Sequence, residues 1–135
     1  MPAVLPTIRR IEQLHVTGCA VACVAMVAGV SYTKAALHVK GRRSGDLSAR
    51  FAEMARGIRS LGYTCRMGTD FRQKKLPAIL MFEWWSTGDF HCIVWDPAFG
   101  GRFVDPGYDR TLGDDFYLQH WRRNGRESLV ITGIR

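Results

Sequence analysis

An apolar stretch between Gly18 and Gly29 most constrains how this chain can fold. The residues CAVACVAMVA carry no charge, and a helix that is apolar on nearly every side belongs in the middle of a globular domain. Cys19 stands at the start of this stretch. Unpaired backbone N–H groups and the positive end of the helix dipole both favour a thiolate at such a position. The stretch therefore predicts a buried helix that presents a cysteine nucleophile.

The length and composition limit the class of protein. We expect one domain over residues 1–135, which buries roughly two-thirds of its unfolded surface. The hydrophobic share of 47% and the charged share of 23% are typical of a soluble globular protein. No apolar run is long enough for a membrane span, and MPAVLPTIRR lacks a secretory signal pattern. We therefore expect a cytoplasmic protein with reduced cysteines.

The net charge of +7 indicates a basic surface, which by itself is an argument about solubility only. An acidic protein partner is the sharper alternative and stays open. The basic residues match no recognisable nucleic-acid-binding motif, so a dedicated nucleic-acid binder is disfavoured. They are spread over Arg9–Arg10, Lys40–Arg43, Arg72–Lys75 and Arg122–Arg126.

The hydrophobic pattern predicts a helical half followed by a strand-rich half. Thr17 is the expected cap of the first helix and Asp46 that of the third. The predicted helices cover 18–29, 31–39, 46–61 and 114–123, and the predicted strands cover 63–67, 78–85, 90–96, 102–105 and 128–134. This order is typical of an α+β domain in which helices pack on a mainly antiparallel sheet.

A cysteine nucleophile needs a base, an orienting group for that base and donors for an oxyanion, and the chain has a candidate for each. His91 opens the strand HCIVW and Asp105 ends the next strand, so a hairpin would bring the imidazole and carboxylate together. Gln13, six residues before Cys19, can offer a side-chain N–H to an oxyanion. Alone, each has an ordinary explanation as a satisfied histidine, a turn aspartate or a loop glutamine. Together they favour catalysis.

These residues carry a resemblance to the bacteriocin-processing peptidases, papain-like cysteine proteases that trim double-glycine leader peptides. The similarity extends over most of the chain and includes GCAVACVAMVAG, LPAIL, HCIVW, FVDPG and the closing LGDDFYLQHWRRNGRESLVI. The resemblance implies a papain-like fold and no cofactor. It also implies Cys19 as nucleophile and His91 as base. Asp105 would orient the base, and Gln13 would donate to the oxyanion.

The chain departs from the family pattern at three points. Gly18 replaces an acidic residue before the nucleophile, and Ala20 replaces a glycine after it. The interval of 14 between His91 and Asp105 predicts a tight hairpin at Phe99–Gly101. We expect a peptide or protein substrate, without commitment to a double-glycine leader. A glutamine deamidase or other acyl-transfer effector with the same triad is the alternative, and a non-catalytic basic binding module is the second.

A metal site is a weaker interpretation of the same region. His15, Cys19 and Cys23 are spaced four apart, as on one helical face, but a paired ligand cluster is missing and His15 precedes the expected helix start. We therefore predict no metal.

The segment FEWWSTGDF before the histidine suggests residues that line a substrate cleft. Trp84 or Trp85, with the nearby Asp89, could contact a substrate, although aromatic packing in the core is the simpler explanation. Tyr108, in the turn after Asp105, is a further candidate.

Overall fold

The secondary structure follows the predicted order of helices and strands. The structure, a computed structural model, describes residues 5–68, 71, 76–83, 90–107 and 113–134. The helices are α1 (Cys19–Ala28), α2 (Tyr32–Lys40), α3 (Phe51–Ser60) and α4 (Asp114–Asn124), and the strands are β1 (Tyr63–Gly68), β2 (Ala78–Glu83), β3 (Phe90–Asp96), β4 (Arg102–Val104) and β5 (Gly125–Ile134).

Helix α1 lies in the core, as its apolar sequence predicts. Every residue from Ala20 to Ala28 is buried. The helix ends at Gly29, whose φ of 66° lets its N–H return to the carbonyl of Ala25. The predicted cap at Thr17 is wrong, because Gly18 occupies the N-cap position without a side-chain bond. Thr17 instead accepts the backbone N–H of Leu47 at 2.9 Å and ties a neighbouring segment to the helix entrance.

Helix α3 begins later than its sequence pattern predicts, and the expected cap at Asp46 is wrong. Asp46 accepts the N–H of Ser48 at 3.0 Å, which closes a local turn instead of a helix. The helix starts at Phe51, after Arg50 in extended conformation, and Glu53 accepts the Arg50 N–H at 3.2 Å.

The strands form one antiparallel sheet in the order β1-β5-β2-β3-β4. Helices on an antiparallel sheet confirm the α+β prediction. Buried side chains of the strands divide between two clusters. The α1 face carries Ile79, Cys92, Val94, Val104, Leu129 and Ile131, which pack against α1, α2 and α3. The α4 face carries Ala78, Leu80, Phe82, Ile93, Trp95 and Val130, which pack with Phe71 and Tyr117.

The β3–β4 connection is a tight hairpin, as the short interval between His91 and Asp105 predicts. Ala98–Gly100 form one turn of 3-10 helix, and three consecutive residues have positive φ: Phe99 at 53°, Gly100 at 91° and Gly101 at 92°. A Cβ at Gly101 would collide with the Trp95 ring, so this position requires glycine for space as well as for φ.

Within the described residues, no single helix is long and apolar enough to cross a membrane. Helices α1 and α2 meet the criterion of length and composition only as a pair, and the two are bent by 112° relative to each other.

Candidate active site

Cys19 is the first residue of α1 and lies in an open cleft of about 1150 Å³. The first intrahelical hydrogen bond at this end runs from the Ala22 N–H to the Gly18 carbonyl. The N–H groups of Cys19, Ala20 and Val21 therefore have no acceptor within the helix. A half-buried sulfur at this end experiences the positive pole of the helix, which favours a thiolate.

His91 and Asp105 form a hydrogen-bonded pair beside the cleft. His91 Nε2 lies 2.8 Å from Asp105 Oδ1. Asp105 also accepts the Gly107 N–H at 2.7 Å and the Tyr117 hydroxyl at 2.6 Å. Three donors thus fix the carboxylate from different directions, and it in turn fixes the imidazole ring.

The Cys19 thiol and the His91 imidazole are neighbours, and their interaction changes the pKa of both groups. Since Nε2 faces Asp105, Nδ1 is the nitrogen left for the sulfur. Burial alone would lower the pKa of His91, but its hydrogen bonds with Asp105 and Cys19 and their negative charges outweigh burial and raise that pKa to about 9. Burial would likewise raise the pKa of Asp105, yet hydrogen bonds from His91, Tyr117 and Gly107 and the His91 charge hold it below its usual value.

Cys92 is a second thiol at the nucleophile. Its side chain and its backbone N–H both lower the pKa of Cys19, and the interaction between the two thiols is the largest cause of a Cys19 pKa well below the usual value. Burial opposes this effect, and His91 adds to it through a hydrogen bond and its charge. The bond to Cys19 and burial together raise the pKa of Cys92, which keeps this thiol protonated. The three groups therefore favour a thiolate at Cys19 beside an imidazolium at His91.

The turn that carries Asp105 is held by the N-terminal segment. Arg10 Nε donates to the Asp105 carbonyl at 2.8 Å, and its guanidinium also donates to the Gly107 carbonyl. The backbone N–H of Gln13 donates to the Pro106 carbonyl at 2.9 Å. The segment before the nucleophile is thus bonded directly to the turn that orients the base.

Gln13 lies in the entry loop, 6% exposed, but its side-chain amide is engaged with that loop. Nε2 donates to the carbonyls of His15 at 2.9 Å and Val16 at 3.0 Å. Its Oε1 is buried and has no hydrogen-bond partner among the residues that the structure describes. Both N–H hydrogens therefore brace the loop in this state, and donation to an oxyanion requires the release of one of them.

His15 is bound to Tyr32 and not directed into a ligand cluster with Cys19 and Cys23. Its Nδ1 lies 3.0 Å from the Tyr32 hydroxyl, and the two rings stack at 5.8 Å. That hydroxyl occupies the space beside Gly18, where a Cβ would collide with it. Among the residues that the structure describes, no group of three or more His, Cys, Asp or Glu side chains could hold a metal ion.

The cleft around Cys19 is apolar with a few charged residues at its wall. Its lining includes Val16, Ala20, Ala49, Phe51, Met81 and Phe90, together with Arg50, Glu127 and the Lys40–Glu53 ion pair of 2.7 Å. The predicted lining residues Trp84, Trp85, Asp89 and Tyr108 lie outside the described residues.

A comparison with solved structures identifies the fold. The chain is similar to the crystal structure of a double glycine motif protease from an AMS/PCAT transporter in complex with the leader peptide, with a TM-score of 0.65 and 17% sequence identity. The match covers 98% of this chain and 94% of that chain. The chain therefore has a papain-like peptidase fold, as predicted. No protein-family model and no curated protein matches the sequence.

Two residues of this site escape prediction from sequence. In the sequence, Tyr117 is only one aromatic residue of a short predicted helix. Its hydroxyl is brought to Asp105 by the fold. Cys92 has the pattern of a buried strand residue, which it is at 2% exposure. The alternation of side chains along β3 is the available signal, since it directs the residue after His91 toward the α1 face.

Proposed function

We propose that this protein is a cysteine peptidase that hydrolyses amide bonds of a peptide or protein substrate. The observation that carries the proposal is the series Cys19–His91–Asp105 at the entrance of a buried helix, with Cys19 at the wall of an open cleft. Each group meets one requirement of acyl transfer: a thiolate, a proton carrier and a fixed carboxylate.

The proposed reaction begins from the thiolate–imidazolium pair. The Cys19 sulfur attacks the substrate carbonyl carbon, and the carbonyl oxygen becomes an oxyanion. His91 then gives its proton to the leaving amine as the C–N bond breaks, which leaves an acyl-enzyme. Water, deprotonated by His91, releases the acyl group. Asp105 keeps the ring oriented and stabilises the imidazolium throughout.

The oxyanion donors proposed here are the free backbone N–H of Cys19 and the side-chain amide of Gln13. The second donor requires that the amide leave one of its two loop carbonyls when substrate binds. Removal of one oxyanion donor typically costs about 10²–10³-fold in kcat. Gln13→Ala should therefore lose activity in that range, and its thermal unfolding should be compared, because a residue that only braces the loop would change stability with little effect on kcat.

The substrate class follows from the cleft. Its apolar wall suits the side chains of an extended peptide, and the similar double glycine motif protease was solved with a leader peptide. Glutamine deamidation uses the same acyl chemistry and is the alternative, and a basic module without catalysis is the second. A cytoplasmic location and an acidic partner stay predictions from sequence.

The test is incubation of the purified protein with a proteome-derived peptide library, followed by mass spectrometry. We expect new peptide termini with wild type and with Cys23→Ala, which keeps Cys19, and none with Cys19→Ala. Glutamine-to-glutamate conversion without new termini would replace the peptidase by the deamidase. Identical libraries before and after incubation with wild type would reject catalysis and favour the binding module.

A further inference from the structure

The nucleophile is in contact with a second thiol that takes no covalent part in the proposed hydrolysis. Cys92 belongs to the α1 face of the sheet, against which Cys19 packs. His91 and Cys92 are consecutive on β3, and both interact with the Cys19 sulfur. In hydrolysis Cys92 serves only to hold Cys19 as a thiolate, and the contact between the two thiols also allows them to react with each other.

We propose that Cys19 and Cys92 are a site of reversible oxidation. A hydroperoxide converts the two thiols to a disulfide, which removes the Cys19 thiolate and so inactivates the site. The switch regulates the same site and rests on the nucleophilic Cys19 of the proposed function. Three observations support it: Cys19 and Cys92 both line the same open cleft, Cys19 packs against the cluster that contains Cys92, and the interaction between the two thiols favours a thiolate at Cys19. Redox-sensor cysteines are typically accessible thiolates next to a resolving cysteine.

The chemistry balances in two steps. The Cys19 thiolate attacks one oxygen of the hydroperoxide ROOH, the O–O bond breaks, and with one proton the products are Cys19 sulfenic acid and the alcohol ROH. The sulfur loses two electrons and the peroxide gains them. The Cys92 sulfur then attacks the sulfenic sulfur, and the sulfenic hydroxyl leaves with the Cys92 proton as water. A dithiol reverses the oxidation by thiol–disulfide exchange.

The structure distinguishes Cys92 from the other cysteines as the resolving partner. Cys23 follows Cys19 by one helical turn, and Cβ atoms at that spacing are about 5–6 Å apart. A disulfide needs Cβ atoms about 3.5–4.5 Å apart, so a Cys19–Cys23 bond would distort α1. Cys65 lies on β1, where its thiol donates to the Ala55 carbonyl. Cys23 is therefore a matched control, because it is fully buried and close to Cys19 but not suited to pair with it.

The experiment exposes reduced full-length protein to hydrogen peroxide, blocks remaining thiols with N-ethylmaleimide and maps the peptides by mass spectrometry. We expect a Cys19–Cys92 cross-linked peptide in wild type and Cys23→Ala, and in both cases dithiothreitol should restore Cys19 alkylation. Cys92→Ala should give no cross-link and should pass to sulfinic acid at Cys19, so most of its alkylation is lost irreversibly. Cys92→Ser provides a second variant if the alanine variant does not fold.

The readout separates this proposal from the peptidase proposal, because the cross-link is measured without any substrate. Detection of the cross-link supports the switch even if the peptide library stays uncut. The switch is overturned if wild type accumulates sulfenic or sulfinic acid at Cys19 while Cys92 remains alkylatable, or if Cys19 pairs with Cys23.

Discussion

The two faces of the sheet differ in what they are made of and in how they hold the site. The α1 face packs small aliphatic side chains against a helix of alanine and valine, and Cys19 comes from that helix. The α4 face packs aromatic rings, with Trp95 at 5.0 Å and Tyr117 at 5.8 Å from the Phe103 ring. His91, whose ring lies 5.8 Å from that of Phe82, and its partner Asp105 are held on this second side.

This difference shows that the two reactive groups are held in position in different ways. Cys19 is placed by backbone, because the start of α1 determines where its sulfur lies. His91 is placed by side-chain hydrogen bonds that run through Asp105 to Tyr117. Single substitutions on the α4 side should therefore alter the chemistry directly. Substitutions in the α1–α3 layer should act mainly on stability.

The largest expected effect is that of Asp105→Asn, which keeps the shape but removes the charge that orients the imidazole. We expect kcat to fall by about 10⁴-fold, as for the equivalent loss in a serine protease triad. The measurement is hydrolysis of a peptide recovered from the library. Asp96→Asn is the matched control: Asp96 lies in the same hairpin and binds Arg102 at 2.9 Å, so it should affect stability and spare kcat. If the kcat of Asp105→Asn were within tenfold of the wild-type value, the orienting role of Asp105 would be contradicted.

His91→Ala tests the coupling across the sheet. Below a pH of about 9, His91 is protonated and stabilises the Cys19 thiolate, so wild-type alkylation by iodoacetamide should be fast and nearly constant between pH 6 and pH 8. Because Cys92 still lowers the Cys19 pKa in the variant, this pKa should rise only toward about 8.5, so alkylation at pH 7 should be slower by at most about 30-fold and should rise with pH. The control is His38→Ala, whose ring binds Ser60. Equal labelling of all cysteines in wild type would contradict the claim that Cys19 is a thiolate stabilised by His91.

A smaller effect is expected for Tyr117→Phe, which removes one donor from Asp105. A hydrogen bond to a charged group contributes about 1.5 kcal/mol or more, so kcat should fall by about tenfold. Because this bond lowers the pKa of Asp105, the acid limb of the pH–rate profile should move to higher pH in the variant. Phe103→Leu removes a ring contact without touching the bond, and its acid limb should stay in place. An unchanged profile in Tyr117→Phe would make the tyrosine a packing residue only.

The smallest effect concerns the tight packing of the helical layer. Gly57 lies within α3, and a Cβ there would come within 2.7 Å of Val39 Cγ2 on α2. Alanine gains about 1 kcal/mol of helix propensity, but overpacking typically costs 1–3 kcal/mol, so Gly57→Ala should lower the free energy of unfolding by about 1 kcal/mol without changing Cys19 alkylation. Denaturant unfolding measures this. The double variant Gly57→Ala/Val39→Ala relieves this clash, so it should lose less stability than the sum of the two single losses. Strictly additive losses would place the clash elsewhere.

Local sequence patterns predict elements whose signals are local. The uninterrupted apolar run ending at Gly29 predicts α1, and β3 has the predicted bounds of 90–96. The two errors occur where another hydrogen bond competes with the expected helix cap. Thr17 bonds to Leu47, thirty residues away in sequence, and Asp46 closes its own turn. The bond of Thr17 to a distant segment cannot be read from the neighbouring residues, whereas the Asp46 turn is a local alternative to a helix cap.

The order of chemistry-bearing residues predicts which side chains meet, and the structure brings Cys19, His91 and Asp105 together. Their catalytic roles stay predictions until activity is measured. The hydrogen bonds from Tyr117 and Cys92 depend on strand register and helix packing, which a single sequence does not specify. The two amide bonds of Gln13 are equally invisible there, because they form with carbonyls of a loop that has no regular pattern.

The hydroxyl of Tyr32 beside Gly18 makes these two positions interdependent for protein engineering. A side chain cannot simply be introduced at position 18, since its Cβ would strike the phenol. A variant with a side chain at position 18 also needs a smaller residue in place of Tyr32, and this second change removes the hydrogen bond between His15 and Tyr32. Saturation libraries that vary the two sites separately would score both as intolerant and overlook combinations that are viable.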